Sequence, residues 1–142
     1  MNRIFATMTA LALAAIPAAA SAGNVEVALG AVRAGGTLYV SLQTRDQFMK
    51  NEGAYGKIVA APKAGPLLVT LEDVAPGDYA VTIWHDDNGN GTFDMDPASG
   101  RPRDGWAAVN GETLRAQPTF DQVKIAIGAD GAKVPLAVQY AR

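Results

Sequence analysis

Val25, Val27 and Leu29 alternate with Glu26 and Ala28, and beyond Gly35 and Gly36 the residues Leu38, Val40 and Leu42 alternate with Tyr39 and Ser41. A period of two buries one side of an extended chain, so each run predicts a strand with one face in a core. Residues 43–56 mix charge with glycine and read as a long connection with room for a helical turn. Lys57 to Ala61 predicts a short strand, and Leu67, Val69 and Leu71 resume the alternation. Pro62 and Pro66 are expected between strands, because proline cannot donate to a ladder. The clearest strand follows the turn at Pro76-Gly77, with Tyr79, Val81 and Ile83 on one face and Ala80, Thr82 and Trp84 on the other. Residues 85–118 are rich in Asp, Asn, Gly and Pro and read as one loop, far longer than the usual connection of about 4–6 residues. At the end Val123, Ile125 and Ile127 lead into Gly128-Ala129-Asp130-Gly131, and Val134, Leu136, Val138 and Tyr140 come back, which predicts a hairpin. No stretch shows a helical period. About seven short strands separated by turns predict an all-β fold, an antiparallel immunoglobulin-like sandwich with one long acidic loop.

The first residues change the picture, because they fit no part of such a sandwich. Arg3 precedes an apolar run from Ile4 to Ile16, and Ala20 and Ala22 supply the small side chains that a signal peptidase needs. Residues 1–22 therefore read as a cleavable signal peptide, and a periplasmic or secreted protein is expected to begin at Gly23. The run is shorter than the roughly 20 apolar residues of a membrane span, so no membrane anchor is expected. Residues 23–142 are expected to form a single domain around one core. Without cysteine there is no disulfide to staple it, which leaves stability to the core or a metal. A net charge of −2 with no basic run argues against nucleic acid.

Five of the fourteen acidic residues fall between Asp86 and Asp104, and their spacing carries chemistry. Asp86, Asn88 and Asn90 alternate and Gly91 follows, the D-x-[DN]-x-[DN]-G pattern of a calcium loop. A hard cation needs oxygen donors from alternate residues, a glycine that lets the backbone reverse, and a backbone carbonyl next, here that of Thr92. Asp94 stands at the ninth position, and Phe93 is expected to turn back into the core. The twelfth position, a bidentate Glu in a helical calcium hand, is Pro97, so the loop is not an EF-hand. Asp96 or Asp104 could close the shell from the return of the loop. The neutral Asn donors point to a weak site for calcium at extracellular concentration.

His85 is the only histidine, and it ends the best strand beside the first expected ligand. It reads either as a general base or ligand, or as a strand-end side chain bonded to a loop carbonyl. Ser41 and Ser99 lack nucleophile-elbow glycines, which leaves little for nucleophilic catalysis. Paired carboxylates such as Asp86 with Asp94 could do acid and base work on a glycoside, although coordination is the more economical reading. Trp84 and Trp106 bracket the loop, with Arg101 and Arg103 between them. Exposed, they would suit a sugar ring with anionic groups; packed, a Trp would hold the loop on the sheet. Tyr79 is expected to anchor a strand corner.

The chain resembles a family of small exported bacterial proteins, domain of unknown function family 2141. The resemblance rests on Pro76-Gly77-Asp78-Tyr79-Ala80-Val81, on His85 through Gly91 with Asp94, on Gly100, Pro102 and Asp104-Gly105, and on Pro118-Thr119-Phe120-Asp121. It departs from the family at Asp104, where Glu is usual, and at Ala107-Ala108-Val109-Asn110, where a serine or asparagine pair is usual. The resemblance implies a transthyretin-like sandwich outside the cytoplasm and no established activity. The functional expectation is a binding or envelope-associated module with a calcium loop, its ligands Asp86, Asn88, Asn90, Thr92, Asp94 and Asp96. Its binding surface draws on Trp84, His85, Arg101, Arg103 and Trp106, with a carbohydrate or an envelope protein as partner. The alternative is a hydrolase of a sugar or ester that uses His85 and neighbouring carboxylates.

Overall fold

Leu38, Val40 and Leu42 and, opposite them, Val25, Val27 and Leu29 are all buried, so the alternation sorts each strand into an inner and an outer face. The computed structural model describes residues 21–50 and 52–141. The expected signal peptide therefore lies, apart from Ser21 and Ala22, outside the described residues. Eight strands are present among those described: β1 (Gly23–Val32), β2 (Thr37–Gln43), β3 (Tyr55–Ala60), β4 (Gly65–Val74), β5 (Gly77–Asp86), β6 (Gly105–Ala108), β7 (Lys124–Ile127) and β8 (Ala132–Ala137). They form a three-stranded sheet in the order β4-β1-β8 and a five-stranded sheet in the order β3-β2-β5-β6, with β7 beside the first half of β5. Between the sheets one core joins Val25, Val27, Leu29, Val69 and Leu71 to Leu38, Val40, Leu42, Val81 and Ile83. Each such side chain contributes roughly 1.5–3 kcal/mol by leaving water.

The expected all-β sandwich is present, with three corrections. The last two strands are not a hairpin. Gly128 to Gly131 does turn tightly, but β7 pairs with β5 in the large sheet and β8 pairs with β1 in the small one. The β1–β8 pair is also parallel, so the sandwich is not wholly antiparallel. Alternation tells which side of a strand is buried and says nothing of its neighbour. Second, the segment read as one loop from 85 to 118 contains β6, which pairs with β5 from Thr82 to His85. Third, Pro66 lies inside β4, tolerated because β4 is an edge strand and its register slips between Leu29 and Val32.

Tyr79 anchors its corner as expected: its hydroxyl donates to the Ala75 carbonyl at 3.0 Å. The outer face of β5 is covered at its start by a second, smaller cluster of Ala80, Phe120 and Val123 with Phe48 and Leu114. Phe120 and Val123 lie on a single helical turn, α1 (Phe120–Val123), which the sequence did not announce. Arg45 ties that turn down through both carboxylate oxygens of Asp121. At the other end, the outer face of β5 carries Trp84 and Asp86 toward the long loop. Among the described residues, no helix is long and apolar enough to cross a membrane.

Candidate metal-binding loop

Because side chains alternate along β5, Trp84 and Asp86 leave the strand on its outer face while His85 points into the sandwich. Asp86 is only 2 % exposed. Its carboxylate accepts the Asn90 N–H at 3.1 Å and the Gly91 N–H at 2.8 Å, which curls the chain back on itself. Gly89 and Gly91 carry φ of 71° and 74°, the left-handed region that a reversal of this kind needs. Asn88 Oδ1 accepts the Asn90 N–H at 3.0 Å and Asn90 Oδ1 accepts the Thr92 N–H at 2.9 Å, two successive Asx turns. The free ends of both amides then converge: Asn88 Nδ2 and Asn90 Nδ2 donate to Asp94 Oδ2 at 2.8 and 2.7 Å.

From Asp94 the chain makes a small hairpin. The Arg103 N–H donates to the Asp94 carbonyl and the Asp96 N–H to the Arg101 carbonyl, both at 2.8 Å, with Met95 bridged to Pro102. Asp96 does not join the convergent group. Its carboxylate accepts the Ala98 N–H and the Ser99 hydroxyl, and Arg103 stands 3.5 Å away. Those partners, the Ala98 amide first, hold its pKa below the usual carboxylate value. The acid that returns to the loop is Asp104, 1 % exposed, whose Oδ2 accepts the Trp84 Nε1–H at 2.8 Å and the Asp94 N–H at 3.1 Å.

Of the four side chains with calcium spacing, Asn88, Asn90 and Asp94 are thus brought together, while the Asp86 carboxylate is taken up by the backbone N–H groups of Asn90 and Gly91; Asp104 holds the Asp94 N–H, and Thr92 lies in the reversal. Among the described residues, no three His, Cys, Asp or Glu side chains gather closely enough to hold a metal ion. A cation here would depend on the Asn amides and on backbone oxygen. The two Nδ2–H groups are the positive partners of Asp94 Oδ2. Rotating either amide exchanges nitrogen for oxygen at that point and gives up its Asx turn. The donor chemistry therefore fits a cation that replaces those N–H groups as the positive partner of Asp94.

His85 lies at 0 % exposure with both ring nitrogens engaged. Nε2 is 2.8 Å from the Gly35 carbonyl, which can only accept, so Nε2 carries the proton. Nδ1 then accepts the Tyr140 hydroxyl, 2.6 Å away, and that hydroxyl in turn accepts the Arg33 N–H at 2.9 Å. The relay is closed, so His85 offers neither a free base nor a surface contact. Burial pushes the Tyr140 phenol up, and the Arg33 amide offsets part of the rise. The Arg33 guanidinium lies over the Tyr140 ring at 4.1 Å and reaches Asp87 at 3.4 Å, so the C-terminal residues fasten the start of the loop. Gly105 is needed there for close approach: a Cβ would run into the Tyr140 ring and the His85 Cβ. Neither serine meets His85, for Ser99 is at the hairpin tip and Ser41 on the outer face of β2.

Trp84 stacks on Tyr39, ring centroids 4.6 Å apart and 15° from parallel. Phe93 does not turn into the core; it stays 43 % exposed and meets Trp84 edge-on at 6.1 Å. Tyr39 covers one face of Trp84, and the partly exposed Phe93 adds a T-shaped contact to the same indole. Trp106, opposite Trp84 on β6, packs over Gly111. Both tryptophans therefore hold the loop and the strands beneath it, while Phe93, Met95, Arg101 and Arg103 form its exposed rim. The contacts of Tyr140 and Gly35 with His85 escaped the sequence reading because they span 55 and 50 residues of chain, and Arg33 joins them only through Tyr140; the one signal was the single histidine at the end of the clearest strand.

A family model described as uncharacterized protein conserved in bacteria (DUF2141) matches residues 25–135. No curated protein and no solved structure matches the chain.

Proposed function

The chain belongs to the bacterial family DUF2141, and from that premise we propose that it is an exported binding module whose loop from Asp86 to Asp104 is clamped by a calcium ion. The observation that carries the reading is the convergence of two Asn N–H groups on the Asp94 carboxylate, in residues that keep the sequence spacing of a calcium loop. Asp86 and Asp94 supply charge, Asn88 and Asn90 amide oxygens, and Thr92 its carbonyl; Asp104 holds the Asp94 backbone in place. Calcium suits such a mixed set better than magnesium, which demands near-octahedral geometry and keeps its waters. Export rests on the leader-like residues 1–22 and their small-residue end.

The clamped loop presents Phe93, Met95, Arg101 and Arg103. This mixture of apolar and cationic groups fits an envelope protein better than a carbohydrate, because Trp84 is already engaged by Tyr39 and Phe93. The test is calorimetric titration of residues 23–142 with calcium after chelation. Stoichiometric binding that Asp94→Asn weakens at least tenfold supports the reading. Binding that Asp94→Asn leaves unchanged, or no binding at millimolar calcium, overturns it.

A further inference from the structure

The sequence holds three Asn-Gly pairs, Asn88-Gly89, Asn90-Gly91 and Asn110-Gly111, and the structure treats them differently. In such a pair the glycine backbone nitrogen attacks the asparagine Cγ. The new N–C bond closes an imide as the Cγ–Nδ2 bond breaks, and the amide leaves as ammonia with the proton lost by the backbone nitrogen. Water then opens one C–N bond of the imide, leaving aspartate or isoaspartate. Glycine favours the reaction because it has no Cβ to crowd the attack.

We propose that Asn88 is a built-in deamidation site, selected over Asn90 and Asn110 by what holds the attacking nitrogen. At Asn88 the following residue is exposed, and among the described residues no acceptor engages the Gly89 N–H. The Asn90 N–H lies 3.0 Å from Asn88 Oδ1, a donor placed where negative charge gathers during attack. The Asp94 carboxylate lies 2.8 Å from the departing nitrogen, suited to relay the proton to it. Asn90 has the same two aids, Thr92 N–H at 2.9 Å and Asp94 at 2.7 Å. It differs in its nucleophile, for the Gly91 N–H is bound at 2.8 Å to the buried Asp86 carboxylate. At Asn110 the side-chain amide is fixed on the Gln122 carbonyl and Gly111 is buried under Trp106.

The reaction replaces a donor to Asp94 with a second carboxylate, so it changes the charge of the loop. The inference concerns the loop free of calcium, whether or not calcium binds it, so a chelator is present throughout. It is tested by incubating residues 23–142 at mildly alkaline pH, native and in denaturant, and following the three sites by peptide mass spectrometry. In denaturant the three sites should react at similar rates. In the native protein Asn88 should lead and Asn90 should lag by roughly tenfold or more, the barrier that a hydrogen bond to a charged acceptor represents. Asp86→Ala, with folding checked by circular dichroism, should bring Asn90 up toward Asn88. A native Asn90 or Asn110 as fast as Asn88 overturns the proposal, as does the same ranking in denaturant or an Asn90 rate unmoved in folded Asp86→Ala.

Discussion

Asp104→Ala removes one side chain and leaves two donors without a partner. The Trp84 Nε1–H and the Asp94 N–H both end on Asp104 Oδ2, at 2.8 and 3.1 Å, in a residue 1 % exposed. A hydrogen bond to a charged acceptor is worth about 1.5–3 kcal/mol, so the two bonds set an upper range of about 3–6 kcal/mol. Two effects lower it. The Asp94 amide belongs to a partly exposed residue that water can reach, and removing a buried carboxylate returns part of its desolvation cost. The net expectation is a loss of about 2–4 kcal/mol, a large share of the roughly 5–15 kcal/mol by which domains are stable. Asp104→Asn keeps an oxygen for both donors and gives up only charge, so it should cost about 1–2 kcal/mol. Denaturant unfolding followed by tryptophan fluorescence reads both, the midpoint giving stability and the native emission reporting Trp84. An Asp104→Ala protein within 0.5 kcal/mol of wild type, roughly the scatter of ordinary surface changes, would refute the reasoning. So would an Asn variant worse than the Ala variant.

Tyr140→Phe should cost about 1–3 kcal/mol in denaturant midpoint, because it strands the His85 Nδ1 acceptor and the Arg33 N–H together; a neutral result would mean water replaces the hydroxyl. Leu38→Ala, at a fully buried site between the sheets, should cost about 2–5 kcal/mol by the same assay. Burial raises the Tyr79 and Tyr140 phenols in the folded state. Their stabilisation is therefore complete below the ordinary tyrosine value of about 10 and is lost as pH rises through the higher folded values. Tyrosinate absorbance in an alkaline titration should rise together with unfolding, and ionisation of every tyrosine before any loss of structure would contradict this. Asp121 is held below the usual carboxylate range, chiefly by Arg45, so its contribution is present above the unfolded value and disappears as pH falls through the lower folded one. Arg45→Ala should flatten that acid limb, and an unaltered limb would count against the pair.

The inner faces were legible because Val25 to Leu29 and Leu38 to Leu42 bury one side in strict alternation and Tyr79, Val81 and Ile83 line the same core, which leaves the sequence little freedom; the burial of Ala80 on the opposite face came from the small cluster the pattern did not reveal. β6 was not legible, since Gly105-Trp106-Ala107-Ala108 has a single inward side chain, Ala107, and owes its strand to pairing with β5. The ends of β7 and β8 misled for a related reason. Their turn has hairpin chemistry, yet which sheet each strand joins is decided by the open edges of β5 and β1. In the loop, the alternation of Asn88 and Asn90 made their shared turn toward Asp94 legible, because Asx turns are local and repeat with period two. The part played by Asp104 instead of Asp96 depends on how the hairpin from Asp94 to Arg103 folds back, a contact the linear pattern does not encode. Phe93 followed the rule that large apolar residues seek the core only as far as the edge of Trp84.

In the proposed calcium-clamped loop, a cation takes the place beside Asp94 that the two Asn amides now fill. The most direct test is the thermal midpoint of residues 23–142 after chelation and then in millimolar calcium, magnesium or zinc, for wild type and Asp94→Asn. A ligand present at 100 times its dissociation constant stabilises the folded state by about 2.7 kcal/mol, which for a domain of this size is a rise of roughly 5–15 °C. A weaker site gives proportionately less but still a rise that grows with calcium concentration. A calcium-selective rise that Asp94→Asn abolishes is expected; a midpoint that calcium leaves unchanged, or moves equally in Asp94→Asn, would contradict a calcium-clamped loop.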